Sequence, residues 1–482
     1  MRALLILYMT KVFLFEDTAA YGVYAAYGSL VYATPLIGGM LADRILGYRK
    51  AILLGGILMA VGHFLLSFQH PVFFYGSLAL LVVGNGFFKP NISSFVGALY
   101  DEKDARREPG FFIFYMGINI GGAVAPLLCA WLATVYGWHF GFGLAGIGML
   151  LGLLVFQRGL KADVFEQKGL VANQQAYDRK RLGMKTGQLV TLGSLLAVPL
   201  LALVVYFHEY EHWLIWLVAA GVLAVLAGIY RQSSGTERKQ LLAIVYFTSM
   251  ATLFWAIFEQ SGSSVTLFAD RNVDLVGFTA AQTNSFNAAF IILMAIPFSL
   301  LWKRLDRMQR NPSSPVKLGI GMLLVGAGFL LFAVSAQQAT AEAQVPMLYL
   351  VLGYFVLTLG ELFISTIGLS KMTELAPARY AAFIMGVWFL SSFFGHFFAG
   401  KIAALTAVTD GGETVFTSGV LGDLVAGITG YSAASAEALG GAHQQLFAFV
   451  STYAGVGLLA IAVGLVGLLT AKGIRLLMVD VD

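Results

Sequence analysis

Seven ionisable or strongly polar residues fall inside stretches that are otherwise apolar enough to cross a membrane. They are Arg2, Lys89, Asn119, Glu259, Asn287, Glu361 and His396. Such a residue is tolerated in hydrocarbon only if it finds a partner or a water-filled cavity, and a lysine at mid-bilayer costs roughly 2.5 to 3.5 kcal/mol. Two cations lie in the first half of the chain and two carboxylates in the second, so their charges complement one another. All seven are therefore candidates for function or for pairing.

The composition places these residues in a membrane protein. Of 482 residues, 58% are hydrophobic and only 12% are charged, whereas soluble domains carry about 25% charged residues. The net charge of +4 gives no reason to expect nucleic acid as a partner. The single cysteine, Cys129, excludes an internal disulfide. The histidines lack metal-ligand spacing, and neither an enzyme nucleophile with its base nor a phosphate loop is present, so we expect no metal, no enzyme and no ATP drive.

A span needs about 20 mainly apolar residues, and this length predicts an all-α protein with fourteen spans in groups of six, two and six. Residues 1–156 are expected to form a six-helix bundle with a short first helix. Residues 157–238 are expected to hold a charged linker and two extra helices, and residues 239–482 a second six-helix bundle. His63 and His396 are expected to be hydrogen-bonded helix residues outside any site.

Lysine and arginine concentrate in alternate loops, which predicts that those loops and the C-terminus are cytoplasmic. One of these loops, GGMLADRILGYRK at 38–50, contains Asp43, Arg44, Gly47 and Arg49. Its residue order resembles the signature loop of the major facilitator superfamily, whose two six-helix halves rock about a midplane site. The alternative is an ordinary positive-inside loop, which would explain the arginines but not their order.

Five motifs resemble the proton-dependent oligopeptide transporter family within that superfamily. They are FFKPN (87–91), DEKDARREPGF (101–111), FYMGINIG (114–121), FWAIFEQSGSS (254–264) and GELFISTIGLS (360–370). The resemblance covers the whole chain and includes the two extra helices of bacterial members. It implies a multi-pass protein of the bacterial inner membrane that uses protons, and no other cofactor, as its coupling ion.

Two departures from the family pattern bear on mechanism. Members usually carry ExxERFxYYG ahead of the segment MRALLILYMTK with which this sequence begins, so we expect that half-helix to be missing from the chain as given. The second departure is Thr366, which stands where the family usually has a proline. A proline would loosen the helix beside Glu361, so this threonine is expected to affect gating.

The resemblance also implies roles for individual residues. Glu361, helped by Asn287, should bind the amino terminus of a peptide, and Arg2, Lys89 and Asn119 its carboxylate side. Glu259 should take and release the coupled proton and pair with Arg2, with Lys89 also in the coupling group. The residues expected to line the pocket are Tyr32, Trp255 and Trp388. Di- and tripeptides and peptide-like small molecules would be the cargo, and a monomer in the lipid bilayer is the superfamily's usual state.

Other interpretations of these residues and of the chain stay open. Lys89 could snorkel to an interface, the two glutamates and Asn119 could serve helix packing, Arg2 could be a positive-inside anchor, and the aromatic residues could be core or belt residues. The cargo could instead be nitrate or another anion, as in some relatives of this superfamily branch. The chain could also be a transport-incompetent product or sensor.

Overall fold

The computed structural model describes residues 2–101, 104–171, 173–408 and 416–478, apart from the side chains of residues 365–367, 369, 370, 378 and 382. Within that part of the chain the secondary structure is almost entirely helical. The α-helices are α1 (Arg2–Lys11), α2 (Asp17–Leu41), α3 (Tyr48–Leu65), α4 (Pro71–Ala98), α5 (Arg107–Val135), α6 (Trp138–Lys161), α7 (Gln174–Asp178), α8 (Thr186–Tyr206), α9 (Glu211–Gln232), α10 (Gly235–Phe258), α11 (Ser264–Asn272), α12 (Ser285–Arg307), α13 (Ser314–Val334), α14 (Met347–Leu375), α15 (Ala381–Ala404), α16 (Gly419–Thr429), α17 (Ala433–Leu439) and α18 (Gly441–Leu477).

Four strands of two residues each accompany the helices. The antiparallel pair is β1 (Lys180–Arg181) with β2 (Met184–Lys185). The parallel pair is β3 (Val273–Asp274) with β4 (Val345–Pro346). Neither pair is long enough to form a sheet with a core of its own, so packing between helices must hold the fold together.

Thirteen helical segments of the described chain are long and apolar enough to cross a membrane. They correspond to thirteen of the fourteen predicted spans, and the chain is an all-helical membrane protein. The remaining predicted span is α1, which has ten residues and ends before Leu14, whose φ is +54°. Ten residues rise about 15 Å, which is half of a roughly 30 Å hydrocarbon core.

The chain divides into two compact units. Unit 1 contains Ala3–Leu14 and Ala26–Glu211, and unit 2 contains Arg2, Phe15–Ala25 and His212–Asp482. The second helix therefore contributes its first turns to unit 2 and the remainder to unit 1. The two helices of the predicted insert are likewise separated, with α8 in unit 1 and α9 in unit 2. The division into three segments expected from the sequence stays a prediction.

In unit 1, the signature loop is tied to the segment that follows α6. Gly47 has a φ of +73°, and a Cβ at this position would lie 2.7 Å from the backbone of Leu170, so only glycine fits without strain. The Arg49 side chain donates to the carbonyl oxygens of Phe165 (3.1 Å), Glu166 and Lys168 (2.7 Å). The guanidinium thus donates to three carbonyl groups of the segment that follows α6, where no helix provides backbone donors.

A short hairpin in unit 1 precedes the membrane-spanning helix α8. Its turn residues Leu182 and Gly183 both have positive φ, 52° and 79°, as a type I′ turn requires. Thr186 closes the base by donating from its backbone N and from Oγ1 to the Arg179 carbonyl, at 2.9 Å and 2.7 Å. Lys185 Nζ lies 2.7 Å from Asp178 Oδ1. The hairpin is therefore fixed mainly by local polar contacts.

In unit 2, glycines let α13 and α18 approach closely. A Cβ on Gly319 would lie 3.1 Å from the Gly464 carbonyl oxygen, and a Cβ on Gly326 would lie 2.6 Å from that of Gly457. These two contacts are two helical turns apart, so the backbones stay close over that length. Lipid provides no hydrophobic driving force for helix association, so the close van der Waals packing that these small residues allow stabilises the helix pair instead.

Candidate functional site

The polar segment of unit 2 interrupts a predicted span. The sequence predicts a span near 239–269, and the structure has a membrane-length helical segment at Gly235–Asn272. Within this segment α10 ends at Phe258, and a 3₁₀ turn, Glu259–Gly262, precedes α11. Hydropathy does not show such a break, because it does not register where the backbone hydrogen bonds are made. The motif EQSGSS itself provides the replacement partners.

Side chains satisfy the backbone groups that this break releases. Gln260 Nε2 donates to the carbonyl oxygens of Ala256 (3.1 Å) and Ala399 (2.9 Å). The Ser261 carbonyl accepts from Thr266 Oγ1 at 3.0 Å and from the Tyr354 hydroxyl at 3.1 Å. The turn is therefore anchored both to α15 and to α14.

Glu259 begins this turn and is one of the most deeply buried carboxylates in the described chain, with 1% of its side chain exposed. Arg2 Nη2 contacts its Oε2, and Nη1 lies 3.4 Å from Oε1. Arg2 Nε donates to the Tyr24 hydroxyl at 2.8 Å. A buried carboxylate that loses its cation costs about 3 to 5 kcal/mol, so the expected pairing of Glu259 with Arg2 is a strong structural constraint.

His396 on α15 lies on the other side of the same carboxylate. Its Nε2 is 3.4 Å from Glu259 Oε2, and its side chain is 4% exposed. Its Nδ1 is 2.9 Å from the Ser392 carbonyl oxygen, one turn earlier in α15. The expectation that His396 stays outside the site is corrected by this contact, although the expected hydrogen bond within its own helix is present.

Gly262, at the end of the turn, leaves room for the cation. A Cβ added there would overlap the Tyr24 hydroxyl and would lie 2.6 Å from Arg2 Nε. Any side chain at this position must therefore displace either the tyrosine or the arginine. The glycine of the motif is explained by this close approach.

Glu361 is the other candidate site carboxylate of unit 2. It accepts a hydrogen bond from the side-chain amide of Asn287, as the sequence predicts. Asn287 Nδ2 on α12 donates to Glu361 Oε2 at 2.8 Å and to Thr358 Oγ1 at 3.1 Å. Thr358 Oγ1 in turn donates to the Tyr354 carbonyl at 2.7 Å. Because Tyr354, Thr358 and Glu361 are spaced four and three residues apart, they share one face of α14.

The two predicted pocket tryptophans lie against α14 and α15. The Trp388 ring occupies the space that a Cβ on Gly368 would need, whereas Gly395 lies against the Cβ and the backbone of Trp255. Trp255 also makes edge contacts with Phe254 and Phe258, at centroid distances of 5.2 Å and 5.7 Å. Both rings are half-buried, so each presents some surface for binding and some for packing.

In unit 1, the predicted lysine rests against an aromatic ring. Lys89 Nζ is 4.3 Å from the centroid of the Tyr32 ring, and Lys89 is exposed. Asn119 is buried, and its Nδ2 donates to the Tyr115 carbonyl of its own helix at 2.9 Å. The structure thus brings Lys89 and Tyr32 together but leaves Asn119 bonded to the backbone.

A large cavity of unit 1 lies elsewhere. It has a volume of about 930 Å³ and is lined mainly by apolar residues of α3 to α6. Lys89, Tyr32 and Asn119 are not among the residues that line it. His63 does line it, and its buried Nδ1 has no hydrogen-bond partner among the described residues, so the expectation of a hydrogen-bonded His63 does not hold for this nitrogen.

The remaining predicted residues contribute less to these sites. Asp43 and Arg44 of the signature loop are exposed. The Thr366 side chain lies outside the described residues, so its effect on the helix stays a prediction. Three residues that our sequence analysis left out of the site do contribute to it: Tyr24, Thr358 and His396. His396 carried a usable signal, because a polar residue inside a span needs a partner and Glu259 was already a candidate.

Comparison with known proteins places this site in a family. A family model described as the POT family matches residues 49–417. The chain is 38% identical over 409 residues to Peptide transporter YePEPT of Yersinia enterocolitica, covering 80% of this chain and 79% of that protein. It is 36% identical over 397 residues to Uncharacterized transporter YclF of Bacillus subtilis, covering 81% and 80% of the two chains.

Solved structures give the same result. A crystal structure of peptide transporter POT in complex with sulfate matches with a TM-score of 0.80 and 29% identity, covering 99% of this chain and 92% of that one. A POT family transporter in complex with 5-aminolevulinic acid matches with a TM-score of 0.74 and 28% identity, covering 98% and 92%. With its family model, its relatives and its helices in agreement, this chain belongs to the POT family of membrane transporters, within the major facilitator fold.

Proposed function

We propose that the protein is a proton-coupled symporter that imports di- and tripeptides by alternating access. The observation that carries this proposal is the ion pair between buried Glu259 and Arg2. A proton on Glu259 cancels the charge that holds Arg2, so protonation and the position of the cation become linked. Peptide transporters among the relatives support the choice of cargo.

The proposed cycle uses the charges of this pair. While Glu259 is ionised, it holds Arg2 and keeps one gate closed. Protonation removes the ion pair and frees the guanidinium for the carboxylate of an entering peptide. Proton and peptide are then released on the other side of the membrane, so the proton gradient drives accumulation.

The substrate contacts follow from the charges of the other residues. Glu361, oriented by Asn287, would bind the amino terminus of the peptide. Lys89 and Asn119 would bind the carboxylate side together with the released Arg2. The aromatic rings of Tyr32, Trp255 and Trp388 would contact variable side chains, because such rings accept both apolar and cationic groups.

We place the protein in the bacterial inner membrane as a monomer with a cytoplasmic C-terminus. The excess of lysine and arginine in alternate loops supports this orientation. The three basic residues of the signature loop, Arg44, Arg49 and Lys50, would then face the cytoplasm. Labelling of single cysteines introduced at 410–419 from outside intact cells tests the orientation, and light scattering of the detergent-solubilised protein tests the monomer.

Uptake of labelled dialanine into proteoliposomes tests the function. We expect accumulation only with an imposed inward proton gradient, and we expect Glu259→Gln to abolish accumulation while counterflow exchange survives. Glu342→Gln is the matched control, because Glu342 is an exposed carboxylate of the same unit, and it should behave as the wild type. Uptake that ignores both the gradient and Glu259→Gln would contradict proton coupling.

A second candidate cargo is a small solute with one amine and one carboxylate. A related POT family transporter has been solved with 5-aminolevulinic acid, and the Glu361 and Lys89 charges would suit that molecule as well. Competition of unlabelled 5-aminolevulinic acid, trialanine and nitrate against dialanine ranks the cargoes. A simple anion such as nitrate should compete least, because Glu361 would repel it.

A further inference from the structure

We propose that His396 and Glu259 together form a proton-binding pair, in which His396 holds the proton while Glu259 is paired with Arg2 and then passes it to Glu259. The proposal deepens the proposed function, since it adds a residue to the coupling site. It rests on the contact geometry of three side chains in unit 2.

The first step concerns which ring nitrogen of His396 carries hydrogen. Nδ1 lies 2.9 Å from the Ser392 carbonyl oxygen. A carbonyl oxygen only accepts hydrogen bonds, so Nδ1 must be the donor and must carry a hydrogen. The backbone of α15 therefore selects the tautomer, as backbone acceptors commonly do for functional histidines. In a neutral ring, Nε2 is then left with a lone pair.

The second step concerns what Nε2 faces. It lies 3.4 Å from Glu259 Oε2, and the two side chains are 4% and 1% exposed. If the imidazole were neutral and the carboxylate ionised, two lone pairs would face each other in a site with almost no solvent access. A single proton between the atoms removes this conflict, on either Nε2 or Oε2. The contact between Nε2 and Oε2 is thus explained if the His396–Glu259 pair holds one proton.

The third step concerns where that proton resides. Glu259 is ionised while Arg2 contacts both of its oxygens, which leaves the proton on Nε2. The titratable groups of other helices that interact with this cluster are Arg2 on α1, Tyr24 on α2, and Tyr354 and Glu361 on α14. Tyr24 accepts a hydrogen bond from Arg2, and the cation on α15 itself, Lys401, lies over the Phe397 ring.

The transfer is balanced within the cluster. The Nε2–H bond of His396 breaks, its electron pair stays on nitrogen, and an O–H bond forms on Glu259. Arg2, Glu259 and His396 carry +1, −1 and +1 before the step and +1, 0 and 0 after it, so the total charge stays +1. Arg2 then loses its anionic partner without any change in the total charge of the three side chains.

Magnetic resonance of the full-length chain in lipid nanodiscs tests the pair without relying on transport. The ring nitrogens of ¹⁵N-labelled histidine distinguish imidazolium from neutral tautomers, and the His396 signal is assigned by its loss in His396→Asn. At pH 7.5, where histidine in water is mostly neutral, we expect His396 of the wild type to be an imidazolium. In Glu259→Gln we expect a neutral ring with hydrogen on Nδ1. His70→Asn is the control, because His70 is exposed and asparagine can replace it as a helix cap.

Infrared spectra of the same samples complete the test. A neutral His396 accompanied by a protonated-carboxyl band that Glu259→Gln removes would place the proton on Glu259 and would contradict His396 as the resting holder of the proton. A neutral His396 with an ionised Glu259 would overturn the proposal. If His396→Asn does not fold, the His396 signal is assigned instead as the imidazolium signal that becomes neutral in Glu259→Gln, and a set of histidine signals that Glu259→Gln leaves unchanged would overturn the proposal.

Transport assays separate this inference from the proposed function. If His396 supplies the proton, His396→Asn should lower gradient-driven dialanine accumulation by about a hundredfold and shift its pH profile, because proton transfer by a positioned group typically contributes at least about 10²-fold. Accumulation that survives Glu259→Gln would contradict the proposed coupling while leaving the resonance result valid. An unchanged pH profile in His396→Asn, with normal coupling through Glu259, would contradict the relay alone.

Discussion

The two units treat their charged membrane residues differently. In unit 2, Glu259 and Glu361 each contact a donor side chain, and Glu259 is almost fully buried. In unit 1, Lys89 is exposed, rests on the Tyr32 ring and makes no ion pair among the described residues. A buried charge depends on its partners for stability, whereas an exposed charge does not. The carboxylates of unit 2 should therefore be both structural and functional, and the lysine of unit 1 functional alone.

The largest effect on stability is expected for Arg2→Ala. The change takes the guanidinium away from the buried Glu259 carboxylate and leaves His396 as the cation beside it, which should lower the free energy of unfolding by about 3 kcal/mol, the lower end of the cost of breaking a buried pair. Unfolding in sodium dodecyl sulfate measures it, and Arg307→Ala, at an exposed arginine of the same unit, is the control. In the double variant Arg2→Ala/Glu259→Gln much of the loss should return, because no uncompensated charge is left. Equal losses of stability in Arg2→Ala and in the double variant would show that the buried charge of Glu259 does not depend on Arg2, which would contradict the proposed difference between the two units.

Asn287→Ala should have a smaller effect on unit 2. It removes the donor to Glu361 and leaves a carboxylate oxygen without that partner, at a cost of about 1 to 3 kcal/mol. We also expect the KM for dialanine to rise, since Glu361 would no longer be oriented. Thr358→Val removes the second hydrogen bond of Asn287 and the bond from Thr358 to the Tyr354 carbonyl, but it leaves the bond to Glu361, so it should raise the KM less. If Thr358→Val proved the more damaging of the two, the amide would not be acting through Glu361.

Lys89→Ala should separate function from stability in unit 1. The lost contact with an exposed aromatic face is worth at most about 1 kcal/mol, yet we expect dialanine uptake to disappear with the charge. Uptake and detergent unfolding are measured on the same preparations. Tyr32→Phe should keep the ring contact and both properties, whereas Tyr32→Leu should weaken binding. A large loss of stability in Lys89→Ala would show that unit 1 also depends on its charge.

The smallest effect should be confined to the hairpin of unit 1. Hydrogen bonds from Lys185 and then Gln174 hold the pKa of the Asp178 carboxyl below its ordinary value of 3.8. Because the pKa is lowered in the folded protein, the contact contributes above that value and is lost as the pH falls through the lowered one. A spin label on Leu182→Cys should become more mobile only once the pH falls below 3.8, toward the lowered pKa of Asp178. In Asp178→Asn the label should be mobile at every pH, and mobility independent of both changes would contradict the contact's role.

The fold was largely predictable from the sequence, because length and hydropathy alone mark membrane spans. Thirteen of the fourteen segments have the expected helical form. The break at Glu259–Gly262 escaped this reasoning, since apolar content does not show where hydrogen bonds within a helix stop. The motif EQSGSS contains the polar side chains that bond to the backbone at this break. Their role can be recognised only once the position of the break is known.

The sequence predicts the two main residue pairs of the site, but it does not predict the further residues that contact them. The pairing of Glu259 with Arg2, and of Glu361 with Asn287, followed from the resemblance and from the cost of buried charge. His396 and Tyr24 did not, because each reaches the cluster through helix packing that brings together residues distant in sequence. No local pattern encodes a contact between residues 259 and 396.

Gly262 makes the Arg2–Glu259 pair sensitive to a purely mechanical change. A methyl group in its place would act as a wedge against the Tyr24 hydroxyl and the Arg2 guanidinium without adding or removing any charge. Electrostatic variants of this cluster alter the attraction and the geometry together, whereas Gly262→Ala would alter only the distance over which the attraction acts. The absence of a side chain at Gly262 thus determines how closely the Arg2 guanidinium and the Glu259 carboxylate can approach each other.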